Sequence, residues 1–234
     1  MIDSSLRTVR YVAQSDALPI PPHDAWLTAA EQSELSAWAH PARRQQWLAG
    51  RWVAKRIVVQ DTTAEEHRRV EILSRRADGL GTAPRVTVDS MPLRRRLSIS
   101  HAGRAVLVGL SSAEARIGVD LALNVPSDAK FRRAWFTEGE NDWLGDEPQR
   151  RAPILWGLKE AIFKSHSDGA AWNPRAVEIL RIDEGRISCA MNGVALAPLA
   201  AWVRSAPRGV ATVVWESQPW VNRAATRQEV AACS

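Results

Sequence analysis

Apolar and polar positions along the chain follow two periods. Leu97-Ser98-Ile99-Ser100 and Ala105-Val106-Leu107-Val108-Gly109-Leu110 read as two strands around a His101-Ala102-Gly103 turn. In ARIGVDLAL (115–123), Ile117, Val119, Leu121 and Leu123 share one strand face, and Gly118, Asp120 and Ala122 share the other. A helical period runs from about 41 to 60: Trp47, Leu48, Trp52 and Val53 form a buried stripe, with Arg44, Arg51 and Lys55 off it. Further helices are predicted at 27–38 with Thr28 as N-cap, at 127–136, and after Thr137, which forms a capping box with Glu140. Another is predicted at 150–166, starting late because Pro153 fits only a first turn. Residues 70–73, 177–182, 186–190 and 210–215 read as strands, 12–24 as extended, Gly79, Gly81 and Pro84 as a loop, and the tail after Trp220 as frayed. No repeat with a 20–50 residue period is visible. Helix, strands, helix, strands nevertheless recurs in the two halves, which predicts an α+β protein of two related lobes.

Composition narrows the classes. The 234 residues, 45% of them hydrophobic, suffice for a packed core. No stretch approaches the ~20 apolar residues of a membrane span, and the first residues lack a secretory apolar region, so a cytoplasmic protein is expected. Cys189 and Cys233 fit no metal spacing and read as inert thiols. The net charge of +5 lies entirely in residues 1–110, and 43–104 hold 14 basic against 6 acidic residues. A polyanion should dock there: nucleic acid, a phosphorylated cofactor or an acidic protein.

Three segments carry chemistry. Asp120 sits on a strongly β-forming strand, which places it near the core. Trp156, Glu160 and Lys164 share one helical face, with Lys159 beside them. This could be a solvated ion pair, or a phosphate–metal site in which Glu ligates a hard cation and Lys neutralises phosphate. Ser100-His101 at a strand end is either turn chemistry or a pair of hydrogen-bonding groups for a phosphate.

Together, LSISHAG (97–103), IGVDLA (117–122) and WGLKEAIFK (156–164) resemble the motifs of the Sfp-type 4′-phosphopantetheinyl transferases, in the same order and spacing. RRQQWLAGR (43–51) resembles that family's Arg-rich helix, and FTEGENDWL (136–144) the segment between its acidic motifs. The resemblance implies two pseudo-symmetric α/β lobes, 1–112 and 113–220, followed by a flexible tail, in a monomer. It implies Mg²⁺ on Asp120 and Glu160, with Glu160 as base for a carrier serine, directly or through water. It implies Lys159 and Lys164 on the coenzyme A pyrophosphate, and Arg43, Arg51, Ser100 and His101 on the nucleotide end, with Arg44 a less defined partner. The partner would be an acyl, polyketide or peptidyl carrier protein of fatty-acid or secondary metabolism, with neither nucleic acid nor membrane. One departure stands out: the family often has a second acid two residues after the Asp, where this chain has Ala122. Two rivals are a coenzyme A-binding relative impaired by Ala122 and a basic nucleic-acid-binding protein. The latter leaves Asp120 and Glu160 unexplained.

Overall fold

The computed structural model describes residues 7–12, 18–60, 63–76, 78–111, 115–167, 170–206 and 209–216. The predicted tail and Cys233 lie outside them. The fold is α+β. The helices are α1 (Ala29–Ser36), α2 (Pro41–Val59), α3 (Ala64–Arg68), α4 (Ala129–Trp135), α5 (Glu138–Leu144) and α6 (Pro148–His166). The strands of the first half are β1 (Arg7–Val12), β2 (Val70–Arg75), β3 (Gly81–Val88), β4 (Met91–Pro92), β5 (Leu97–Ala102) and β6 (Ala105–Ser111). Those of the second are β7 (Ile117–Leu123), β8 (Val177–Asp183), β9 (Arg186–Met191), β10 (Val194–Ala195), β11 (Leu199–Ala206) and β12 (Gly209–Glu216).

Three antiparallel sheets result. One is ordered β1-β6-β5, one β10-β9-β11-β12-β7 with β8 on β9, and one β2-β3-β4. Strand alternation explains the layering. On β6, Val106, Val108 and Leu110 pack with Ala49, Val53 and Ile57 of α2. Leu107, on the other face, packs with Ile117, Val119 and Leu121 of β7. β7 in turn lies under α6. A Cβ on Gly118 would sit 1.8 Å from the Ala161 carbonyl oxygen, so only glycine lets helix and strand approach this closely.

The sequence does repeat, at about half the chain length rather than at a short period. Trp-x-Thr-x-x-Glu occurs at 26–31 and 135–140, Trp-x-x-Lys at 52–55 and 156–159, and Val-Glu-Ile-Leu at 70–73 and 177–180. The offsets differ among the three motifs, which hides the repeat from a fixed-period search. Each copy builds the same buried constellation. Thr28 and Glu31 form a capping box, as do Thr137 and Glu140. Lys55 Nζ donates to Glu31 at 2.6 Å and to the Trp26 carbonyl at 3.1 Å. Lys159 Nζ donates to Glu140 at 2.6 Å and to the Trp135 carbonyl at 3.3 Å. Glu31 also accepts from the Ile72 amide and Glu140 from the Ile179 amide, at 3.0 and 2.9 Å. One carboxylate thereby ties a helix start, a long helix and a strand together. Burial pushes both lysine ammoniums below their usual range, against the pull of the paired glutamates.

Several sequence expectations need correction. The stripe on α2 is too narrow: Arg51 and Lys55 are also buried, because α1 supplies Glu34 and Glu31 as partners. The segment around Gly81 and Pro84 is β3, the middle strand of the β2-β3-β4 sheet rather than a loop. α6 begins before Pro153, with Pro148 pre-set in its first turn. The carbonyl that Pro153 leaves without a donor belongs to exposed Gln149, where water can serve it.

Candidate functional site

The site is built where β5, β7 and α6 meet. On β5, Ser98 and Ser100 point at the edge of β7 and accept its backbone amides. Val119 N–H donates to Ser98 Oγ at 3.0 Å, and Leu121 N–H to Ser100 Oγ at 3.1 Å. The Ser-x-Ser spacing is thus a strand-period device that substitutes side chains for a backbone ladder. Ser100 Oγ also donates to Asp120 Oδ1 at 2.9 Å. Asp120 is buried at 2% exposure. Above it, Lys164 Nζ lies 2.7 Å from Asp120 Oδ1 and 3.3 Å from Glu160 Oε2. Glu160 shares a hydrogen bond with Asp120, and burial beside that carboxyl pushes its pKa up to about 7.

Glu160 and Lys164 face a cavity of about 550 Å³. Its walls come from both halves of the chain and include Arg51, Ile99 and His101 on one side and Phe163 and Trp172 on the other. His101 ends β5. Burial, then the positive charges of Arg43 and Lys164, depress it to about 4, so it is neutral at pH 7. Three residues that line this cavity each carry a buried nitrogen without a hydrogen-bond partner: His101 Nδ1, Arg51 Nε and Trp38 Nε1.

The predicted site residues divide. Glu160, Lys164, His101 and Arg51 line the cavity, with Asp120 directly beneath through Lys164. Arg51 is not free: it pairs with Glu34 at 3.1 Å and stacks on Trp47. Arg43 is exposed and reaches His101 electrostatically. Ser100 does not offer its hydroxyl to a phosphate, because that hydroxyl is already shared among Asp120, Leu121 and Lys164. Arg44 donates to the Leu35 carbonyl at 2.9 Å and does not line the cavity. Lys159, fully buried on Glu140, cannot reach it either. Sequence reasoning placed Trp47 in the buried stripe of α2 and did not single out Trp38 or Trp172, yet all three are cavity walls. The period of α2 carries no sign of which buried positions border a void, and Trp38 and Trp172 lie outside the helices.

Ala122 is buried at 3% exposure, facing Gly157 of α6. Among the described residues no group of three or more His, Cys, Asp or Glu converges, so the acidic pair stands alone. Cys189 is buried and its thiol is pushed up to about 11, consistent with an inert role. Among the described residues no helix is long and apolar enough to cross a membrane.

None of the curated proteins compared with the chain matches it. A family model does: that of the 4′-phosphopantetheinyl transferase superfamily matches residues 116–213, a segment that holds Asp120, Glu160 and Lys164. The likeness to that superfamily covers 98 of the chain's 234 residues.

Proposed function

We propose that the protein transfers the 4′-phosphopantetheine arm of coenzyme A to a serine of an apo acyl, polyketide or peptidyl carrier protein, with Mg²⁺ as the metal. The carrying observation is Glu160: a carboxyl raised to about 7, held against Asp120 and open to the shared cavity. A base is most effective when its pKa lies near the working pH. The repeated constellations support a reading of two pseudo-symmetric lobes, divided near residue 112, with coenzyme A between them. A monomer in the cytoplasm is part of the same reading.

The residues fit the metal. Burial, then the neighbouring Asp120 carboxyl, raises the Glu160 pKa, which a cation beside both carboxylates would oppose, and Mg²⁺ takes one or two carboxylates together with phosphates and waters. Asp120 and Glu160 would hold it, and when bound it would neutralise charge on the pyrophosphate.

The chain's own residues would do the rest. Ser100 fixes the Asp120 carboxylate by a hydrogen bond while its oxygen is held by the Leu121 amide. Glu160 accepts the proton of the carrier serine hydroxyl. The serine oxygen then bonds to the β-phosphorus of coenzyme A, the bond from that phosphorus to the bridging oxygen breaks, and 3′,5′-ADP leaves with the bonding pair. Lys164 sits where it can neutralise that developing charge. Neutral His101 can donate one hydrogen bond to a phosphate, and Arg43 adds charge beside it.

The test is to mix the protein, coenzyme A and Mg²⁺ with several apo-carriers and read intact mass. Gain of the phosphopantetheine arm on at least one carrier, abolished by chelator, is expected. No gain on any carrier, with coenzyme A bound, would leave the impaired-relative reading.

A further inference from the structure

Lys164 Nζ is surrounded by oxygens. Asp120 Oδ1 lies at 2.7 Å, Ser100 Oγ at 3.2 Å, the Val119 carbonyl at 3.3 Å and Glu160 Oε2 at 3.3 Å. An ammonium has three protons to donate and here meets four oxygens. The arrangement is a cation cage as much as a set of directed bonds, and the cage includes both carboxylates assigned to the metal.

We propose that Lys164 and the divalent cation compete for these oxygens. The ammonium is the resting occupant of the Asp120–Glu160 site, and cation binding releases it towards the cavity, where phosphate groups would lie. The inference rests on the transferase reading and adds to it a built-in order: the lysine becomes available to substrate phosphate only once the metal is seated. It also gives Ala122 a physical context. Two carboxylates with one internal ammonium leave a net charge of about −1, and a third acid would double that surplus in the resting site. The lysine stem makes such a movement feasible, since its side chain is 31% exposed while Asp120 is buried.

The competition is testable without turnover. Mn²⁺ binding, followed by the loss of its free electron-paramagnetic-resonance signal, is measured on wild type, Lys164→Met and Asp120→Asn, in the absence of coenzyme A. Methionine keeps the apolar stem and removes the charge, and a thermal melt verifies folding. Lys164→Met should bind Mn²⁺ about tenfold more tightly than wild type or better, a gain of ~1.4 kcal/mol, and Asp120→Asn should bind it more weakly. On the wild type, Mg²⁺ should also speed acylation of Lys164 by acetic anhydride, read by peptide mass. Equal or weaker Mn²⁺ binding in Lys164→Met, or unchanged labelling, overturns the competition. It leaves the transferase reading intact, because the carrier assay tests that separately. No Mn²⁺ binding by either wild type or Lys164→Met likewise overturns the competition.

Discussion

Ser100 and Asp120 form the joint between the two sheets. One hydroxyl donates to the carboxylate at 2.9 Å and accepts the next strand's amide at 3.1 Å. Ser98 makes only the second kind of bond, to the Val119 amide. The pair is therefore a natural control. Ser100→Ala and Ser98→Ala should each cost about 1–3 kcal/mol by orphaning a buried amide. Only Ser100→Ala should also depress kcat, by roughly tenfold, with little change in the coenzyme A KM. Melting curves and steady-state kinetics on both variants decide it, and equal rate losses would place Ser100 outside the site.

Glu160→Gln should abolish base and ligand together, so transfer should fall by roughly 100-fold or more. Its stability should move the other way. A carboxyl raised to about 7 favours the fold below its unfolded value of 4.5, and that contribution is lost as pH rises through about 7. Without metal, wild-type stability should therefore decline between pH 4.5 and 7, by up to about 3 kcal/mol. The glutamine variant should not show this decline. Near-normal turnover, or an unchanged pH–stability curve, would remove Glu160 from its role.

His101 gives the opposite slope. Its native pKa near 4 lies below the ordinary 6.5, so it favours the fold above pH 6.5 and that contribution is lost as pH falls towards 4. His101→Gln should flatten the acid limb of the melting profile. Coenzyme A should raise the His101 pKa if phosphate sits beside it, and NMR titration of the ring protons with and without ligand reads this directly.

Arg43→Ala should weaken coenzyme A about 10- to 150-fold, the range of a lost charge-assisted contact worth ~1.5–3 kcal/mol. The loss should be smaller for dephospho-coenzyme A if the guanidinium meets the 3′-phosphate. Arg51→Ala should behave differently, because it strands the buried Glu34 carboxylate. Lost stability of about 3–5 kcal/mol should dominate. Calorimetric titration with both cofactors, beside melts, separates the two arginines.

Lys159→Met should destabilise the fold by a similar ~3–5 kcal/mol without having touched substrate, and Lys159→Met/Glu140→Gln should recover part of it. A stable Lys159→Met with impaired coenzyme A affinity would return this lysine to the cavity.

What the sequence disclosed depended on whether a residue's partner was local. Thr28 and Thr137 were legible as caps because each bond closes within three residues. Glu160 and Lys164 were legible as a pair because they fall one helical turn apart, and the motif resemblance joined Asp120 to them. Arg51, Lys55 and Lys159 misled the reading. A cation off an apolar stripe is normally solvated, and only the distant glutamates of α1 and α5 allow these to be buried. Ser100 misled it for the same reason: its competing partner, the Leu121 amide, lies on another strand. β3 was hidden by Gly81 and Pro84, which are tolerated because they lie in the half of this middle strand that β4 does not reach, β4 pairing only with Thr87 and Val88.

The repeated constellations let the two halves of the chain be compared position by position. The hairpin closures Ala102–Ala105 and Ala206–Gly209 align Val108 with Thr212, whose cross-strand partners are Arg10 and Asp120. The Trp-x-x-Lys motifs likewise align Arg56 with Glu160. Burial and then Arg10 depress the Arg56 guanidinium, as burial and then Asp120 raise Glu160. Where one half carries two acids, the other carries two arginines. The polypeptide is architecturally doubled but chemically inverted, so the cation site proposed at one of the paired positions has a twin that would repel a cation.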